Sequence, residues 1–86
     1  MSSPFDELLR LAEQLGITVR HAHLGGNGGG LATFKGKREL FIDLDAAPAD
    51  QLDQTTRAIA RVEGIEQIYV RADVRELISQ PLQDSD

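Results

Sequence analysis

Apolar residues recur every three to four positions at the start of the chain, which predicts an amphipathic helix. Its apolar stripe consists of Phe5, Leu8, Leu9, Ala12 and Leu15. Ser3 followed by Pro4 is typical of an N-cap and the first helical position, and Gly16 can take the left-handed conformation that ends a helix. We therefore predict a first helix over about 4–15.

After this helix the apolar period changes to two, which predicts strands. The segment ITVRHAH, residues 17–23, would place Ile17, Val19, His21 and His23 on one face. A glycine-rich loop follows, and then LATFK and RELFIDL, residues 31–35 and 38–44, predict a hairpin. With Gly36 and Lys37 as a type II′ two-residue turn, the hairpin would pair Ala32 with Phe41 and Leu31 with Ile42.

This register divides the predicted hairpin into two faces. One face, directed at the helices, would carry Leu31, Thr33, Leu40, Ile42 and Leu44. The other would carry Ala32, Phe34 and Phe41, with the two phenylalanines as diagonal neighbours. So short a chain has few residues left to cover both faces of a sheet. The aromatic face would be closed either by the C-terminal segment or by another molecule.

The second half of the chain predicts further helices. AAPADQLDQTTRAIARVEG, residues 46–64, predicts a second helix whose inward stripe is Leu52, Thr55 or Thr56, Ile59 and Val62. IEQIYV, residues 65–70, predicts a short strand or an extended link. Asp73 and Glu76 would cap a last short helix that runs through VRELIS. We predict a single α+β domain over residues 1–80 with a three-stranded antiparallel sheet, followed by a flexible acidic tail over 81–86.

Composition and charge exclude several classes of function. The chain has 86 residues, no cysteine and a formal net charge of −5, which opposes the phosphate backbone of nucleic acids. The basic stretch KGKR, residues 35–38, fits a solvated hairpin tip. Without cysteine there are no disulfides and no thiolate metal sites. No apolar run is long enough for a bilayer, and the first residues are acidic and amphipathic, so we expect a cytoplasmic protein that does not bind membranes.

The stretch HLGGNGGGL, residues 23–31, contains five glycines in six consecutive positions. It does not match the Walker pattern or the dinucleotide pattern G-x-G-x-x-G, and a strand rather than a helix follows it. A mobile connection between strands is the simplest interpretation. The alternative is that a partner backbone approaches Gly28, Gly29 and Gly30 closely, with Asn27 in a left-handed conformation at the apex.

Two histidines and two aspartates are candidates for metal binding or catalysis. His21 and His23 have a spacing that can chelate one metal ion, with Asp43 or Asp45 as a third ligand. The simpler interpretation is half-buried, hydrogen-bonded histidines at the rim of the sheet, with the aspartates as a cap and a solvated edge. The serines lie near the ends of the sequence, and no cysteine is present, so we predict no nucleophilic catalysis and no catalytic residue.

The order of LAEQLGITV, a glycine loop, a hairpin ending in LFIDLD and a helix with TTRAIARV resembles the N-terminal scaffold of ImmA/IrrE-type zinc metallopeptidases. The resemblance spans residues 9–63. In that family the helix carries H-E-x-x-H, whereas this chain has IARVE at 59–63, so no catalytic residue carries over. The resemblance implies a scaffold used for binding. The chain is also similar to short uncharacterised bacterial proteins with a GG-x-GGG loop, which implies no activity.

These observations favour a small protein-interaction module that binds a protein partner or a second copy of itself as a homodimer, without a cofactor. Its binding surface would consist of Ala32, Phe34, Phe41 and the loop residues Asn27, Gly28, Gly29 and Gly30. The alternative is a metal-binding or hydrolytic domain that uses His21, His23 and Asp43.

Overall fold

A computed structural model describes residues 3–79 and confirms the predicted α+β fold. Helix α1 spans Pro4–Gln14. The Ser3 hydroxyl accepts a hydrogen bond from the Asp6 N–H at 3.1 Å, which satisfies one of the free donors at the helix start. Leu8 and Leu11 of this helix are buried in the core. The predicted acidic tail, residues 81–86, lies outside the described residues.

The hairpin is present, but its register differs from the prediction. Strands β2 (Gly30–Phe34) and β3 (Lys37–Asp43) pair antiparallel, with Phe34 opposite Lys37 and Gly30 opposite Phe41. The turn consists of Lys35 and Gly36, which both have positive φ, as a type I′ turn requires. The predicted type II′ turn and its pairs were therefore wrong, and every β2 residue lies opposite a β3 residue two positions earlier than expected.

The sheet is mixed, which corrects the prediction of an antiparallel sheet. Strand β1 (Thr18–Ala22) pairs with β3 in parallel, and the strand order is β1-β3-β2. The most buried strand, β3, therefore takes the central position. Strands β1 and β2 flank it on opposite sides, so the glycine-rich segment between them has to cross the C-terminal end of β3.

The three helices pack on one side of this sheet. Helix α2 spans Pro48–Ala60, shorter than predicted, and a 3₁₀ turn (Ile65–Gln67) and helix α3 (Ala72–Ser79) follow. The segment 65–70 is therefore a turn and a short extended link rather than a strand. Buried hydrophobic residues of the three helices, of β3 and of the connections between elements form one core: Leu8, Leu11, Ala12, Ile17, Leu40, Ile42, Ala58, Ile59, Val62, Val70 and Val74.

Asp73 lies inside the first turn of α3 instead of before it, because the helix begins at Ala72. Its carboxylate accepts hydrogen bonds from Arg71 at 2.8 and 2.9 Å and from the Val74 N–H at 2.8 Å. Arg71 also approaches the buried Glu7 of α1, with 3.6 Å between their charged atoms. These contacts connect α1 with the start of α3.

The two faces of the sheet differ, although the register was mispredicted. A shift of two residues keeps each side chain on its face, so Leu31 and Leu40 still face the helices. Five apolar side chains of the C-terminal segment join the core: Ile65, Ile68, Val70, Val74 and Ile78. Phe34, on the opposite face, is 66% exposed. Within residues 3–79, none of the helices has both the length and the apolar character needed to cross a bilayer.

Candidate functional site

The glycine-rich loop folds around a carboxylate of its own chain, that of Asp43, the last residue of β3. Its side chain has no exposed surface. The Oδ1 atom accepts hydrogen bonds from the N–H groups of Leu24 (3.0 Å) and Asp45 (2.9 Å). The Oδ2 atom accepts hydrogen bonds from the N–H groups of Gly26 (2.6 Å) and Gly28 (2.8 Å). Four backbone donors therefore surround one buried carboxylate, the arrangement by which glycine-rich loops elsewhere bind phosphate.

Asp45 holds the outer part of the same loop. Its Oδ1 lies 2.9 Å from the His23 Nδ1, and its Oδ2 accepts a hydrogen bond from the Gly25 N–H at 2.9 Å. The side chains of His23 and Asp45 are 73% and 41% exposed, so this pair lies at the surface. Because both aspartates engage the loop, the crossing between β1 and β2 is held at its start, middle and end.

Two of the glycines are required by close packing rather than by a positive φ. A Cβ on Gly28 would collide with the Leu24 side chain, and a Cβ on Gly29 would collide with the side-chain oxygen of Gln54. Gln54, on α2, also donates from Nε2 to the Gly26 carbonyl at 3.0 Å. The loop therefore packs against α2. Among the described residues, Lys35 is the non-glycine with positive φ, so the predicted left-handed conformation of Asn27 was wrong.

The environment of Asp43 controls its ionisation. Burial acts to raise the pKa of this carboxyl, but the hydrogen bonds from the backbone N–H groups of the loop and of Asp45 outweigh it and lower the pKa below 3.8. The pKa of Asp45 is also lowered, first by the hydrogen bond with His23 and then by the Gly25 N–H. Both groups are thus held as carboxylates near neutral pH.

We expect acid to destabilise the fold through these two groups. Because their folded-state pKa values lie below the unfolded-state values, the unfolded chain binds protons first as the pH falls. Their stabilisation is complete above about pH 5 and is lost as the pH falls through the folded-state pKa values. Urea unfolding between neutral and acidic pH should show a midpoint that is constant above about pH 5 and then falls. A midpoint that stays constant at lower pH would contradict this assignment.

The structure brings two of the predicted metal ligands together, His23 and Asp45, but not a third. Asp43 is enclosed by the loop, His23 pairs with Asp45, and His21 is exposed on β1 beside Ile42. Within residues 3–79, the structure contains no group of three or more His, Cys, Asp or Glu side chains that could hold a metal ion. Both histidines are exposed, so the expectation of half-buried histidines was wrong.

The predicted aromatic patch is divided in two. In the observed register Phe41 lies opposite Gly30, whereas Phe34 lies at the hairpin end with the Lys35 ammonium 5.3 Å from its ring centroid. Between them lie Ala32 and Glu39, and Glu39 forms an ion pair with Arg20 of β1 at 3.0 Å. The two rings of one chain are therefore not neighbours.

A groove of about 330 Å³ lies between the start of β2 and helix α2. Residues of both elements and of the loop line it: Gly29, Gly30, Leu31, Gln54, Arg57, Ala58 and Arg61. The groove therefore lies at the start of β2 and not along the whole strand. The remaining residues of β2, Ala32, Thr33 and Phe34, are all exposed to solvent.

Sequence reasoning missed the buried carboxylate and the contribution of Gln54. The available signal was the alternation of Asp43 and Asp45 at the end of an apolar strand, in a chain that also has a glycine-rich loop. No family model, curated protein or solved structure matches the chain. The resemblance to the metallopeptidase scaffold therefore stays a prediction.

Proposed function

We propose that the chain is a small cytoplasmic protein-interaction module, without catalytic activity, that self-associates through strand β2. The observation that supports this proposal best is the position and composition of the strand. Strand β2 lies at the edge of the sheet, and none of its five residues, Gly30–Phe34, is charged. Edge strands that stay unpaired usually carry a charge, a proline or a bulge that discourages pairing.

The exposed aromatic ring of Phe34 also supports β2 as the binding surface. Two aromatic side chains are largely exposed in the described part of the chain, Phe34 at 66% and Tyr69 at 78%. Phe34 lies on the edge strand itself, where a partner strand would cover it. Aromatic residues at such positions supply much of the binding free energy in protein interfaces.

The surroundings of Asp43 support a role without catalysis. Both oxygens of Asp43 already accept two hydrogen bonds each, and the side chain is buried. Such a carboxylate holds a loop in place and has no lone pair directed at a substrate. The loop then fixes the position at which β2 begins.

We expect the chain to dimerise and a Phe34→Glu substitution to weaken the dimer roughly tenfold or more, because it places a charge in the contact and removes the ring. Analytical ultracentrifugation over a wide range of concentrations measures both dissociation constants. Circular dichroism melting checks that the variant stays folded, as expected for a residue that is 66% exposed.

Tyr69→Glu is the matched control, since it places the same charge at another exposed aromatic residue, outside the sheet. It should dimerise like the unsubstituted chain. A chain that sediments as a monomer at the highest concentrations would refute self-association. Equal weakening by both substitutions would show that the contact is not at β2.

A further inference from the structure

The backbone of β2 offers a defined set of hydrogen-bonding groups to a partner. In a hairpin with a two-residue turn, the residues flanking the turn, here Phe34 and Lys37, form a hydrogen-bonded pair. Bonded pairs alternate along the ladder, so Phe34, Ala32 and Gly30 direct their backbone groups toward β3. Leu31 and Thr33 direct theirs toward the open edge.

We infer that two copies of this chain join antiparallel through β2, with the two-fold axis at Ala32, so that one six-stranded sheet runs through the dimer. This inference rests on the proposed self-association and specifies its geometry. Ala32 lies opposite Ala32 of the second copy, and Leu31 lies opposite Thr33 of the second copy. The pair of Leu31 and Thr33 is hydrogen-bonded and occurs twice by symmetry. The two pairs together form four backbone hydrogen bonds, which use every backbone N–H and C=O group that the strand directs outward.

This register completes the divided aromatic patch between the copies. Phe34 of one copy lies opposite Gly30 of the other, and Gly30 already lies opposite Phe41 within its own chain. Because glycine has no side chain, the two rings can approach each other across its backbone on the same face of the sheet. Offset or edge-to-face aromatic pairs of this kind stabilise an interface beyond their buried area. If the two-fold axis lay at a neighbouring residue, Phe34 would no longer lie opposite Gly30 of the other copy, and fewer residues of β2 would pair.

Charge complementarity also favours a second copy as the occupant. In this arrangement the hairpin tip of one copy, with Lys35 and Lys37, extends past Gly30 of the other toward the end of the sheet where β3 terminates. That end carries the exposed carboxylate of Asp45. The basic tip of each copy therefore lies at the same end of the joined sheet as the Asp45 carboxylate of the other, and these opposite charges offset part of the repulsion between two chains of formal net charge −5 each.

The chain has no cysteine, so single cysteines can report the register. Across a non-hydrogen-bonded antiparallel pair the Cα atoms are about 4.5 Å apart, within the range of a disulfide. We expect Ala32→Cys to form a disulfide-linked dimer rapidly under mild oxidation. Thr33→Cys, an exposed neighbour, places the two Cα atoms roughly 9 Å apart, beyond disulfide range, and should crosslink at least tenfold more slowly.

Non-reducing gels follow the crosslinking in buffer and in urea, and ultracentrifugation of the reduced variants is run beside them. Faster crosslinking at position 32 in buffer, with the preference lost in urea, supports the register. A dimer in which Thr33→Cys crosslinks as fast as Ala32→Cys overturns the register while self-association stands. A monomer in ultracentrifugation overturns the proposed function itself and this inference with it.

Discussion

Asp43→Asn should lower the melting temperature by about 15 °C, because it leaves two buried backbone donors without an acceptor. The carboxylate accepts two hydrogen bonds at each oxygen. An amide has one oxygen, which can retain one pair of donors, and its NH₂ group would then face the other pair. The charge that strengthens all four hydrogen bonds is lost as well. Circular dichroism melting at neutral pH measures the effect.

Asp45→Asn is the matched control, since it makes the same chemical change two residues away. The Asp45 side chain is 41% exposed and accepts one backbone hydrogen bond, so water can replace what the amide loses. We expect a decrease of a few degrees. Equal melting temperatures for the two variants would show that the loop does not depend on the buried carboxylate.

The hairpin shows what the sequence predicts reliably. Either Lys35 with Gly36 or Gly36 with Lys37 can form a two-residue turn, because each pair contains a glycine at a position that accepts positive φ. The two possibilities differ by two residues in register. Since side chains alternate with a period of two, both give the same buried face, which is why Leu31 and Leu40 were assigned to the helical side correctly. The cross-strand neighbours of Phe41 depend on the register itself, and their prediction was wrong.

The strand order depends on contacts that local patterns do not encode. A period of two identifies β1 as a strand but does not specify which strand lies beside it. The glycine-rich connection is long enough to cross β3, so β1 can pair with β3 in parallel instead of with β2. Leu40 and Ile42 of β3 are buried in the core, which fits its central position, since a central strand has a neighbour on both sides.

The sequence predicts a mobile connection for the loop, or the close approach of a partner backbone, whereas the loop binds a carboxylate of its own chain. The spacing of the loop does not match the phosphate-binding patterns. The anion is the Asp43 carboxylate, 15 residues from Gly28 along the chain. A contact of this separation leaves no signal in local spacing. It becomes visible once the strand order places the loop across the end of β3.

Gly28→Ala should lower the melting temperature by about 10 °C, through a collision within the loop. The added Cβ would overlap the Leu24 Cβ and come within 3.1 Å of the Leu24 carbonyl oxygen. Neither atom is the end of a flexible side chain, so the backbone must move. Because the Gly28 N–H donates to the Asp43 Oδ2 at 2.8 Å, that movement also weakens a hydrogen bond to the buried carboxylate. Thermal melting monitored by circular dichroism measures the decrease.

Two further variants separate this collision from a general intolerance of the loop to alanine. Gly29→Ala should cost less, because the atom nearest its Cβ is the terminal oxygen of the Gln54 side chain, which can rotate away. That rotation gives up the hydrogen bond from Gln54 to the Gly26 carbonyl, and the Phe41 carbonyl oxygen at 3.2 Å has to shift only slightly. Leu24→Gly in the Gly28→Ala background removes the overlapping Cβ and should restore part of the stability. If Gly29→Ala destabilised the chain more than Gly28→Ala, or if Leu24→Gly brought no recovery, the loop would not be packed on Leu24 as the structure describes.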